Sequence, residues 1–543
     1  MSNQMVEEDC KINAKTIPFK KTGYFSKTIC DYLDKNKKIT PFYNNFPDLN
    51  GFKKQIDATR HSELVSESYR KILFETLQYQ YKNTKTSDKT QQNIQSLLKE
   101  NTFTVTTGHQ LNLFTGPLYF LYKIVSTINL TKRLKTEFPK DNFVPVYWMA
   151  TEDHDFEEIN YFNFKGKKIS WDRASNGGVG RLSTEGLEEV LKVFSKELGT
   201  STNAIFLAKL FKEAYLEHKN LTDATRYLAN ELFGEYGLVI IDGDDRELKK
   251  QFIPFVADEL SNQTSFKKVS ETISVLEKNY KVQVNPREIN LFYLTDDIRE
   301  RIILEEGVYK VNNTNIFWTK EEILKHLSEV PERFSPNVIM RPLYQEVILP
   351  NLCYIGGGGE LAYWLELKNY FEEVKIPFPI LLLRNSALIV SDKQIQKLDK
   401  LNISLEEIFL NQQDLVNKKI KEVSDIEIDF SKQRLFLEKQ FSDLEVIAKQ
   451  TDKSFIGAVK AQQKKQLNGL DNLEKRLLKA EKRKHGELTE RIKLVQDELF
   501  PNHSLEERQC NFSEYYLEYG EQLIPKLIDT LKPLKGEFSI LAL

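Results

Sequence analysis

Long apolar runs are missing from this sequence of 543 residues, and both cysteine and methionine are rare, with four of each. No segment approaches the roughly 20 apolar residues that a membrane-spanning helix needs, so no membrane association is expected. The first ten residues, MSNQMVEEDC, lack the apolar core of a signal peptide. The cysteines are too scattered for a zinc site or a disulfide framework, and reduced thiols are expected at Cys10, Cys30, Cys353 and Cys510. These absences predict a cytoplasmic protein.

A large excess of one charge is missing as well. Lysine and arginine total 77 against 79 aspartate and glutamate residues, which leaves a formal net charge of -2. Such a balance creates no overall field that would attract nucleic acid or an anionic membrane, and neither partner is expected. The length of 543 residues is greater than that of most domains with a single hydrophobic core, so several domains or insertions are predicted.

One stretch has the pattern strand, helix, strand that forms the βαβ unit of a parallel sheet. A β-prone run from Phe103 to Thr107 leads to a turn at Gly108-His109. An apolar helix follows from about Pro117, and a buried strand from Val144 to Ala150 completes the unit. Ligands of parallel sheets bind beyond the carboxyl ends of the strands. The ends of these two strands are therefore the first place to look for a site.

Polar residues cluster at both strand ends, and we expect the two clusters to face each other across one crevice. In the first cluster, His109 is a candidate catalytic residue, and the candidate binding residues are Thr106, Thr107, Gly108, Gln110, Asn112 and Gly116. In the second cluster, Asp153 and Asp155 are candidate general bases. Its candidate ligands for a substrate, or for a divalent metal, are Glu152 and His154.

Residues Thr106 to His109 match a His/Thr-x-Gly-His pattern found in nucleotidylyl transferases and class I aminoacyl-tRNA synthetases. That chemistry places a histidine at the helix start, beside the phosphate under attack, where it stabilises developing charge. The pattern therefore predicts ATP or another nucleotide as a ligand, with Mg²⁺ as a candidate companion ion. A histidine that only caps the turn is the structural alternative.

Three later features extend the predicted site. The glycines before Glu360 would allow close backbone approach to a ligand, or act as a hinge; the candidate binding residues here are Gly356, Gly357, Gly358, Gly359 and Glu360. Arg384 interrupts an apolar strand, where it could bind a phosphate or carboxylate or pair with an acid. A third apolar strand ends in Asp242 to Asp245, and we expect these carboxylates to point at the crevice.

Changes in composition divide the chain. The predicted parts are a Rossmann-like core at 1–160, a first insertion at 161–235, a core strand at 236–264, a second insertion at 265–330, the last part of the core with the glycine-rich loop at 331–395, a helical coiled-coil arm at 396–500 and C-terminal helices returning to the core at 501–543. Apolar residues recur at helical spacing from Leu470 to Leu499. This stripe predicts a helical hairpin or coiled-coil arm that pairs with a second copy, with packing inside the chain as the alternative.

Three long segments, TTGHQLNLFTGPLYFLYK, PVYWMATEDHDFEEIN and YIGGGGELAYW, together with the helical arm, resemble the BshC family of bacillithiol-biosynthesis proteins, which are cysteine-adding ligases. The resemblance implies an α/β fold: a Rossmann-like parallel-sheet core like that of nucleotidylyl transferases, two connective insertions and an α-helical coiled-coil domain that forms a homodimer. It also implies an ATP-dependent type of ligase that joins L-cysteine to glucosaminyl-malate, the last step of bacillithiol synthesis. A Lys-Met-Ser-Lys-Ser-like loop is not found, so release of AMP and release of ADP both stay open.

Two other functions remain open from the sequence. A nucleotidyltransferase-like enzyme could act on a different small substrate, and the amino acid that supports ATP turnover would discriminate it. A non-catalytic, nucleotide-binding assembly protein would bind nucleotide without turnover and lose its partners when the apolar stripe is broken. Polar residues at several strand ends favour an enzyme.

Overall fold

The structure, a computed structural model, describes residues 14–60 and 66–542, so the predictions for the first ten residues, Cys10 included, lie outside it. The chain forms two compact units. The first combines residues 14–20, 24–388 and 506–541, and the second consists mainly of residues 389–505. Among the described helices, none is both long and apolar enough to cross a membrane.

The strands are numbered in chain order. They are β1 (Ala14–Pro18), β2 (Thr102–His109), β3 (Asn142–Met149), β4 (Tyr161–Phe164), β5 (Lys167–Ser170), β6 (Val239–Asp242), β7 (Leu291–Leu294), β8 (Arg299–Glu305), β9 (Val308–Val311), β10 (Phe317–Trp318), β11 (Phe334–Pro336), β12 (Asn351–Gly356), β13 (Ile380–Leu383), β14 (Ala387–Val390) and β15 (Glu537–Ala542).

The α-helices of the first unit are α1 (Lys27–Leu33), α2 (Leu49–Arg60), α3 (Glu67–Gln80), α4 (Asp88–Ser96), α5 (Tyr119–Glu137), α6 (Phe156–Ile159), α7 (Leu187–Leu198), α8 (Thr202–Leu216), α9 (Leu221–Phe233), α10 (Arg246–Asn262), α11 (Thr264–Leu276), α12 (Lys320–Glu329), α13 (Arg341–Ile348), α14 (Gly358–Leu365), α15 (Lys368–Glu373), α21 (Phe512–Tyr519) and α22 (Leu523–Thr530). Those of the second unit are α16 (Asp392–Lys400), α17 (Gln412–Val423), α18 (Ser431–Ala448), α19 (Lys453–Lys484) and α20 (Gly486–Leu499).

A parallel sheet forms the centre of the first unit, with strand order β13-β12-β2-β3-β6. Its middle strand β2 is buried along its whole length, which is typical of parallel sheets covered by helices on both faces. Helix α5 packs on β2 and β3 and is buried on most sides. The core between sheet and helices contains Phe52, Phe103, Leu130, Leu134 and Ile380. The predicted α/β fold with a parallel-sheet core is confirmed.

The predicted βαβ unit is present, but its first turn differs from the prediction. His109, predicted to lie in the turn, is the last residue of β2, whereas α5 begins at Tyr119, close to the predicted start at about Pro117. Between them, Phe114, Thr115 and Gly116 all have positive φ angles, at 47°, 69° and 62°. A helix cannot pass through residues in this left-handed region, so the turn lies at Phe114–Gly116 and α5 begins after it.

A second sheet, with order β10-β9-β8-β7-β11, is antiparallel throughout. Its β8 carries alternating arginines, Arg299 and Arg301, before an apolar stretch. Successive residues of a strand point to opposite faces, so Arg299 and Arg301, two positions apart, lie on the same face of this sheet. The strands of this sheet, β7 to β11, lie between β6 and β12 in the chain and are separate from the central sheet.

The second unit contains the predicted helical hairpin. Helices α18 and α19 pack on each other and are joined by a short turn, in which Asp452 accepts hydrogen bonds from the amides of Ser454 (2.7 Å) and Phe455 (3.1 Å). The helices are antiparallel: Ala448 and Val459 pack in one apolar cluster near the turn, and Arg434 pairs with Glu474 at 2.6 Å farther from it. The apolar stripe along these helices is partly exposed: 54% of Leu473 is accessible.

The C-terminal segment of the first unit packs on α5 and adds its strand to a small sheet, β1-β15-β14, separate from the central one. Strand β15 pairs antiparallel with β1, and the side-chain amide of Asn129 on α5 donates to the carbonyls of Ile528 (2.8 Å) and Leu531 (2.7 Å). Arg384, just after β13, forms a 2.8 Å ion pair with Glu507, and both side chains are buried, with exposures of 4% and 0%. Glu507 also accepts the Ala387 amide at 3.2 Å.

Breaking the buried pair should strongly destabilise the first unit. Glu507→Gln leaves the Arg384 charge uncompensated, and we expect a loss of about 3–5 kcal/mol in the free energy of unfolding. The matched control is Glu197→Gln, which removes the exposed 2.8 Å pair with Lys167 and should cost less than about 1 kcal/mol. All four tryptophans lie in the first unit, so their fluorescence during urea unfolding reports on it. Equal losses in the two variants would contradict this account.

Candidate active site

Two adjoining cavities open at the carboxyl edge of the central sheet, and Trp148, Ala150 and Arg341 line both. They adjoin because β2 and β3 end together, with His109 paired to Met149 in register. The smaller cavity, about 300 Å³, is named the histidine compartment and is also lined by Gly108, His109, Gln110, Tyr119, Lys123, Tyr354, Glu360 and Tyr363. The larger, about 490 Å³, is named the arginine compartment and includes Glu152, Asp153, His154, Asn285, Arg287, Arg299, Arg301 and Asn337.

His109 is the buried imidazole of the histidine compartment, with 7% of the residue exposed. Burial holds its pKa well below the usual value, and the nearby charges of Lys123 and Arg384 lower the pKa further. The imidazole is therefore neutral at pH 7. Its Nε2 atom has no hydrogen-bond partner within the described chain, although it is buried. An unsatisfied buried nitrogen beside a cavity is suited to a ligand.

Lys123 is the buried cation of the same compartment. Its ammonium group donates to the Gly108 carbonyl at 2.7 Å and forms a 2.7 Å ion pair with Glu360. Burial would raise the pKa of Glu360, but Lys123, the Tyr354 hydroxyl at 2.7 Å and the Gly357 amide at 3.1 Å lower it. The ammonium has three protons and these contacts use two, so one stays available to a ligand.

Arg341 forms the boundary between the compartments. Its guanidinium donates to Gln345 (3.1 Å) and to the Tyr363 hydroxyl (3.2 Å), and it lies over the Tyr354 ring. These contacts leave its charge without a carboxylate partner within 4 Å among the described residues. A cation fixed at this boundary can contact a ligand in either compartment.

The arginine compartment carries an excess of positive charge. Arg299 lies over the Phe292 ring, 4.1 Å from its centroid, and hydrogen-bonds His154 at 2.6 Å. The guanidinium groups of Arg287 and Arg301 form no ion pair within residues 14–60 and 66–542. Guanidinium groups bind carboxylate and phosphate in a planar, bidentate manner. The cavity is therefore suited to a small molecule with more than one negative charge.

The acidic residues of this compartment are held by neighbouring groups. Glu152 forms a short ion pair with the buried Lys249, and burial raises the pKa of Glu152. Burial also acts to raise the pKa of Asp153, but hydrogen bonds from His154 and Gln110 and the charge of Arg299 bring it well below its usual value. At neutral pH Asp153 is thus a weak base. It accepts a hydrogen bond from the side-chain amide of Gln110 at 3.0 Å, which favours a role in holding Gln110 in place.

Several predicted binding residues of the first cluster are engaged inside the fold. The Thr106 hydroxyl donates to Asn351 (2.9 Å) and that of Thr107 to the Ile355 carbonyl (2.7 Å). The Asn112 side chain donates to the Glu158 carbonyl at 3.1 Å and lines neither compartment. Gly116 has φ 62° and ψ -132°, which only glycine adopts readily, so its requirement is conformational. Gly108, His109 and Gln110 line the histidine compartment.

The other predicted residues are distributed unevenly. Glu152, Asp153 and His154 line the arginine compartment, whereas Asp155 is exposed before α6 and lines neither cavity. The predicted glycine-rich loop is not a loop: Gly356 ends β12, and α14 begins at Gly358. Of that segment only Glu360 lines a compartment. Arg384, predicted either to bind a ligand or to pair with an acid, forms an ion pair with the buried Glu507 and lines neither compartment.

Asp242 to Asp245, at the end of the third strand, were expected to point at the crevice, but they line neither cavity. Asp242 accepts a short hydrogen bond from the Thr151 hydroxyl, and Asp244 pairs with Arg181 at 2.8 Å. Asp245 caps the start of α10 by accepting the Glu247 amide at 2.8 Å. Each carboxylate thus has a structural partner. No group of three or more His, Cys, Asp or Glu side chains in the described chain has the geometry to hold a metal ion.

Sequence reasoning missed several lining residues. Lys123 had a signal, since it is a single cation in the apolar segment YFLYKIVS, where a solvated lysine would be out of place. Arg287, Arg299 and Arg301 had none in their local pattern, because they lie in β8 and in the segment before β7, outside the central sheet. Cys30, Cys353 and Cys510 are free thiols, as expected.

A buried carboxyl behind the site should give a measurable pH dependence. Glu346, 5% exposed, accepts hydrogen bonds from Gln345 and Asn351, both at 2.8 Å, and burial raises its pKa from 4.5 to about 8. The folded state thus keeps a proton that the unfolded chain releases, so stability falls as pH rises from 4.5 to about 8. Glu346→Gln keeps the accepting oxygen and removes the titration.

Between pH 5 and pH 8, the wild type should therefore lose more free energy of unfolding than Glu346→Gln, by a difference on the order of 4 kcal/mol at 1.36 kcal/mol per pH unit. Urea unfolding followed by tryptophan fluorescence at the two pH values measures this. Parallel pH dependence in the two proteins would show that Glu346 is ionised in the fold.

Comparisons with known proteins agree with this architecture. The family model described as "Bacillithiol biosynthesis BshC, N-terminal Rossmann-like domain" matches residues 12–385. The one described as "Bacillithiol biosynthesis BshC, C-terminal coiled-coil domain" matches residues 387–543. The match to a solved structure of a putative arginyl-tRNA synthetase from Campylobacter jejuni covers 83% of this chain and 99% of that one, at 10% identity and a TM-score of 0.22, and no argument rests on it.

Relatives named "Putative cysteine ligase BshC" match along nearly the whole chain. That of Flavobacterium johnsoniae is 60% identical over 527 residues, which cover 97% of this chain and 99% of the relative. That of Flavobacterium psychrophilum is 61% identical, with 97% and 98% covered. The more distant Bacillus cereus protein is 28% identical, with 95% and 98% covered. With both domain models and these relatives matched, the chain belongs to the BshC family of bacillithiol biosynthesis.

Proposed function

We propose that the chain is a ligase that joins the carboxyl group of L-cysteine to the amine of glucosaminyl-malate, in an ATP-dependent type of reaction that forms bacillithiol in its last biosynthetic step. The names of its relatives support the cysteine ligase. The observation that carries the proposal is the pair of joined compartments, one with a neutral buried histidine and one with several arginines. Two small substrates must meet in such a reaction, and the cavities meet at Trp148 and Ala150.

The arginine compartment is proposed to bind the malyl group of glucosaminyl-malate. A malyl group has two carboxylates, and Arg287 and Arg301 offer two guanidinium groups without ion-pair partners in the described chain. Arg299 adds a third positive charge, braced by His154. The volume of about 490 Å³ falls within the range of small-molecule sites, roughly 300–1,000 Å³. In this placement the sugar amine points toward the boundary with the histidine compartment.

The histidine compartment is proposed to bind cysteine and the reactive end of a nucleotide. Gly108, His109 and Lys123 would hold an anionic group there, since Lys123 has an unused donor and Gly108 permits close approach. A nucleoside triphosphate would supply the activation that a carboxylate needs before an amine can attack it. Mg²⁺ would accompany the phosphates of that nucleotide.

The reaction is tested by incubating the purified full-length chain with glucosaminyl-malate, cysteine, ATP and Mg²⁺ and analysing the products by mass spectrometry. A product with the mass of bacillithiol supports the ligase, and AMP or ADP in the same sample identifies how the carboxylate is activated. His109→Ala should abolish the product while the thermal unfolding midpoint stays near that of the wild type. Turnover of ATP with another amino acid, and none with cysteine, would contradict the proposal.

The proposed malyl site predicts a selective loss of substrate affinity. Arg287→Met and Arg301→Met should each raise KM for glucosaminyl-malate about ten- to hundred-fold, because a hydrogen bond to a charged group contributes about 1.5–3 kcal/mol. KM for cysteine should change little, since cysteine is placed in the other compartment. Steady-state kinetics with one substrate varied at a time measures both constants.

The matched control is Arg333→Met, because Arg333 donates to the Tyr293 hydroxyl at 2.9 Å and lines neither compartment. It should leave both KM values near those of the wild type. A KM increase for cysteine as large as that for glucosaminyl-malate would show that the arginines do not select the malyl group.

We also propose that the helical arm forms a homodimer. The α18–α19 pair carries a groove of about 580 Å³ that is lined by four apolar side chains, Phe436, Leu437, Leu470 and Leu473, together with Lys432, Gln433, Gln466 and Gly469. Phe436 is 74% exposed and the adjacent Leu435 67% exposed. An exposed apolar stripe on a helical hairpin gains stability when it packs against the same stripe of a second copy.

Charges placed in this groove should separate the copies. Phe436→Glu combined with Leu473→Glu should shift a dimer to a monomer in sedimentation velocity, because burying a charge without a partner is unfavourable. The control is Leu494→Glu, since Leu494 is 60% exposed but lies outside the groove. A wild type that sediments as a monomer, or a double variant that stays dimeric, would contradict the proposal.

A further inference from the structure

The segment that carries Arg287 belongs to no helix or sheet. Residues 281–289 lie between α11 and β7 and contribute Asn285 and Arg287 to the arginine compartment. No backbone–backbone hydrogen bond joins these residues to another part of the described chain. Ordering a backbone costs conformational entropy, so a segment of this kind keeps one position only where other contacts hold it. Two buried side chains, Glu366 and Asn290, supply such contacts.

Glu366 holds the first half of the segment. Its carboxylate accepts the backbone amides of Gln283 at 2.7 Å and of Val284 at 3.3 Å. Glu366 directly follows α14 and is completely buried. These bonds fix the backbone just before Asn285, and they leave the position of Arg287 to contacts farther along the chain.

Asn290 holds the second half of the segment, at Arg287 itself. Its side-chain oxygen accepts the Arg287 amide at 3.0 Å, and its side-chain amide donates to the Arg287 carbonyl at 2.8 Å. One side chain thus bonds both backbone polar groups of this arginine. Asn290 is completely buried and lines neither compartment, so any effect that it has on a ligand must pass through its neighbours.

Two helices hold Asn290 in its own position. Its side-chain amide donates to the Ser265 hydroxyl at 2.7 Å, and its backbone amide donates to Glu259 at 2.9 Å. Glu259 also accepts the hydroxyl of Ser265 at 2.7 Å and its amide at 3.1 Å. Glu259 lies near the end of α10 and Ser265 near the start of α11, and both are completely buried. The residue that holds Arg287 is therefore fixed on rigid elements.

Asn290 also joins the segment to the start of α13. Its side-chain oxygen accepts the side-chain amide of Asn337 at 2.9 Å, and its carbonyl accepts the Asn337 backbone amide at 3.1 Å. The carbonyl of Asn337 in turn accepts the amide of Arg341, the first residue of α13, at 2.8 Å. A continuous set of hydrogen bonds thus connects Arg287 with the cation at the boundary of the two compartments.

We propose that Asn290 is a positioning residue that holds Arg287 at the arginine compartment and fixes it relative to Arg341, so that an anionic substrate meets two guanidinium groups at a set separation. The guanidinium of Arg341 has its own contacts, with Gln345 and Tyr363, and stays in place without Asn290. Arg287 lacks such support and depends on it. The inference rests on the proposed function, in which this compartment binds the malyl group of glucosaminyl-malate.

The inference is tested by the affinity of the full-length chain for glucosaminyl-malate, measured by isothermal titration calorimetry without ATP or cysteine. Asn290→Ala should raise Kd about ten-fold, because a charged donor loses its placement when its backbone is no longer held. KM for glucosaminyl-malate should rise by a similar factor, while KM for cysteine stays near that of the wild type. Asn290→Ser serves if the alanine variant does not fold.

A double variant shows whether the effect passes through Arg287. In the Arg287→Met background, Asn290→Ala should weaken binding by no more than about two-fold further, since the side chain that it positions is already gone. If Asn290 contributed only to general stability, the losses in the two backgrounds would be equal. Equal losses would overturn the positioning role.

Asn129→Ala is the matched control. Asn129 is also a nearly buried asparagine whose side-chain amide donates to two backbone carbonyls, and it lines neither compartment. This variant should lower the urea midpoint, as Asn290→Ala does, and leave Kd unchanged. An equal loss of affinity in both variants, or an unchanged Kd in Asn290→Ala, would overturn the inference.

The same titrations separate the inference from the proposed reaction. A wild type that binds glucosaminyl-malate but forms no product would refute the ligase reaction and leave the role of Asn290 standing. A wild type that does not bind glucosaminyl-malate would refute the malyl site and the positioning role together. Ligation by the wild type with an unchanged Kd in Asn290→Ala would refute the positioning role alone.

Discussion

The parallel register of β2 and β3 is the constraint on which the site depends. Because His109 pairs with Met149, both strands end at the same level, and the residues that follow them are brought to one edge of the sheet. Strand β12, on the other side of β2, ends nearby and is followed by α14, which carries Glu360. A shift of the register by one residue would turn each of these side chains to the opposite face of the sheet.

Around this edge, charge is divided between two adjoining spaces. In the histidine compartment Lys123 and Glu360 neutralise each other beside a neutral imidazole, and Arg341 adds a positive charge at the boundary. In the arginine compartment the acidic residues have their own partners, so the charges of Arg287 and Arg301 remain available. This division suits a reaction in which a strongly anionic substrate must be placed next to a second, smaller one.

The sequence predicted the parts of the site that follow local patterns. A buried strand that ends in polar residues marks an edge of a parallel sheet, which is how His109, Glu152, Asp153 and His154 were placed near one another. It did not predict Arg287, because that residue lies in the segment before β7, outside the central sheet, and reaches the arginine compartment only through the tertiary fold. For Arg384, Asp242 and Asp244, the residue types suggested ligand binding. Each instead contacts a residue distant in the sequence, namely Glu507, Thr151 and Arg181, respectively, and no local pattern reveals such partners.

The division of the two substrates between the compartments is the central claim, and a crystal structure of the chain with glucosaminyl-malate tests it most directly. The account predicts the malyl carboxylates on Arg287 and Arg301 and the sugar amine near Trp148 and Ala150, within reach of His109. Density for the malyl group in the histidine compartment, or for the ligand away from both cavities, would contradict it.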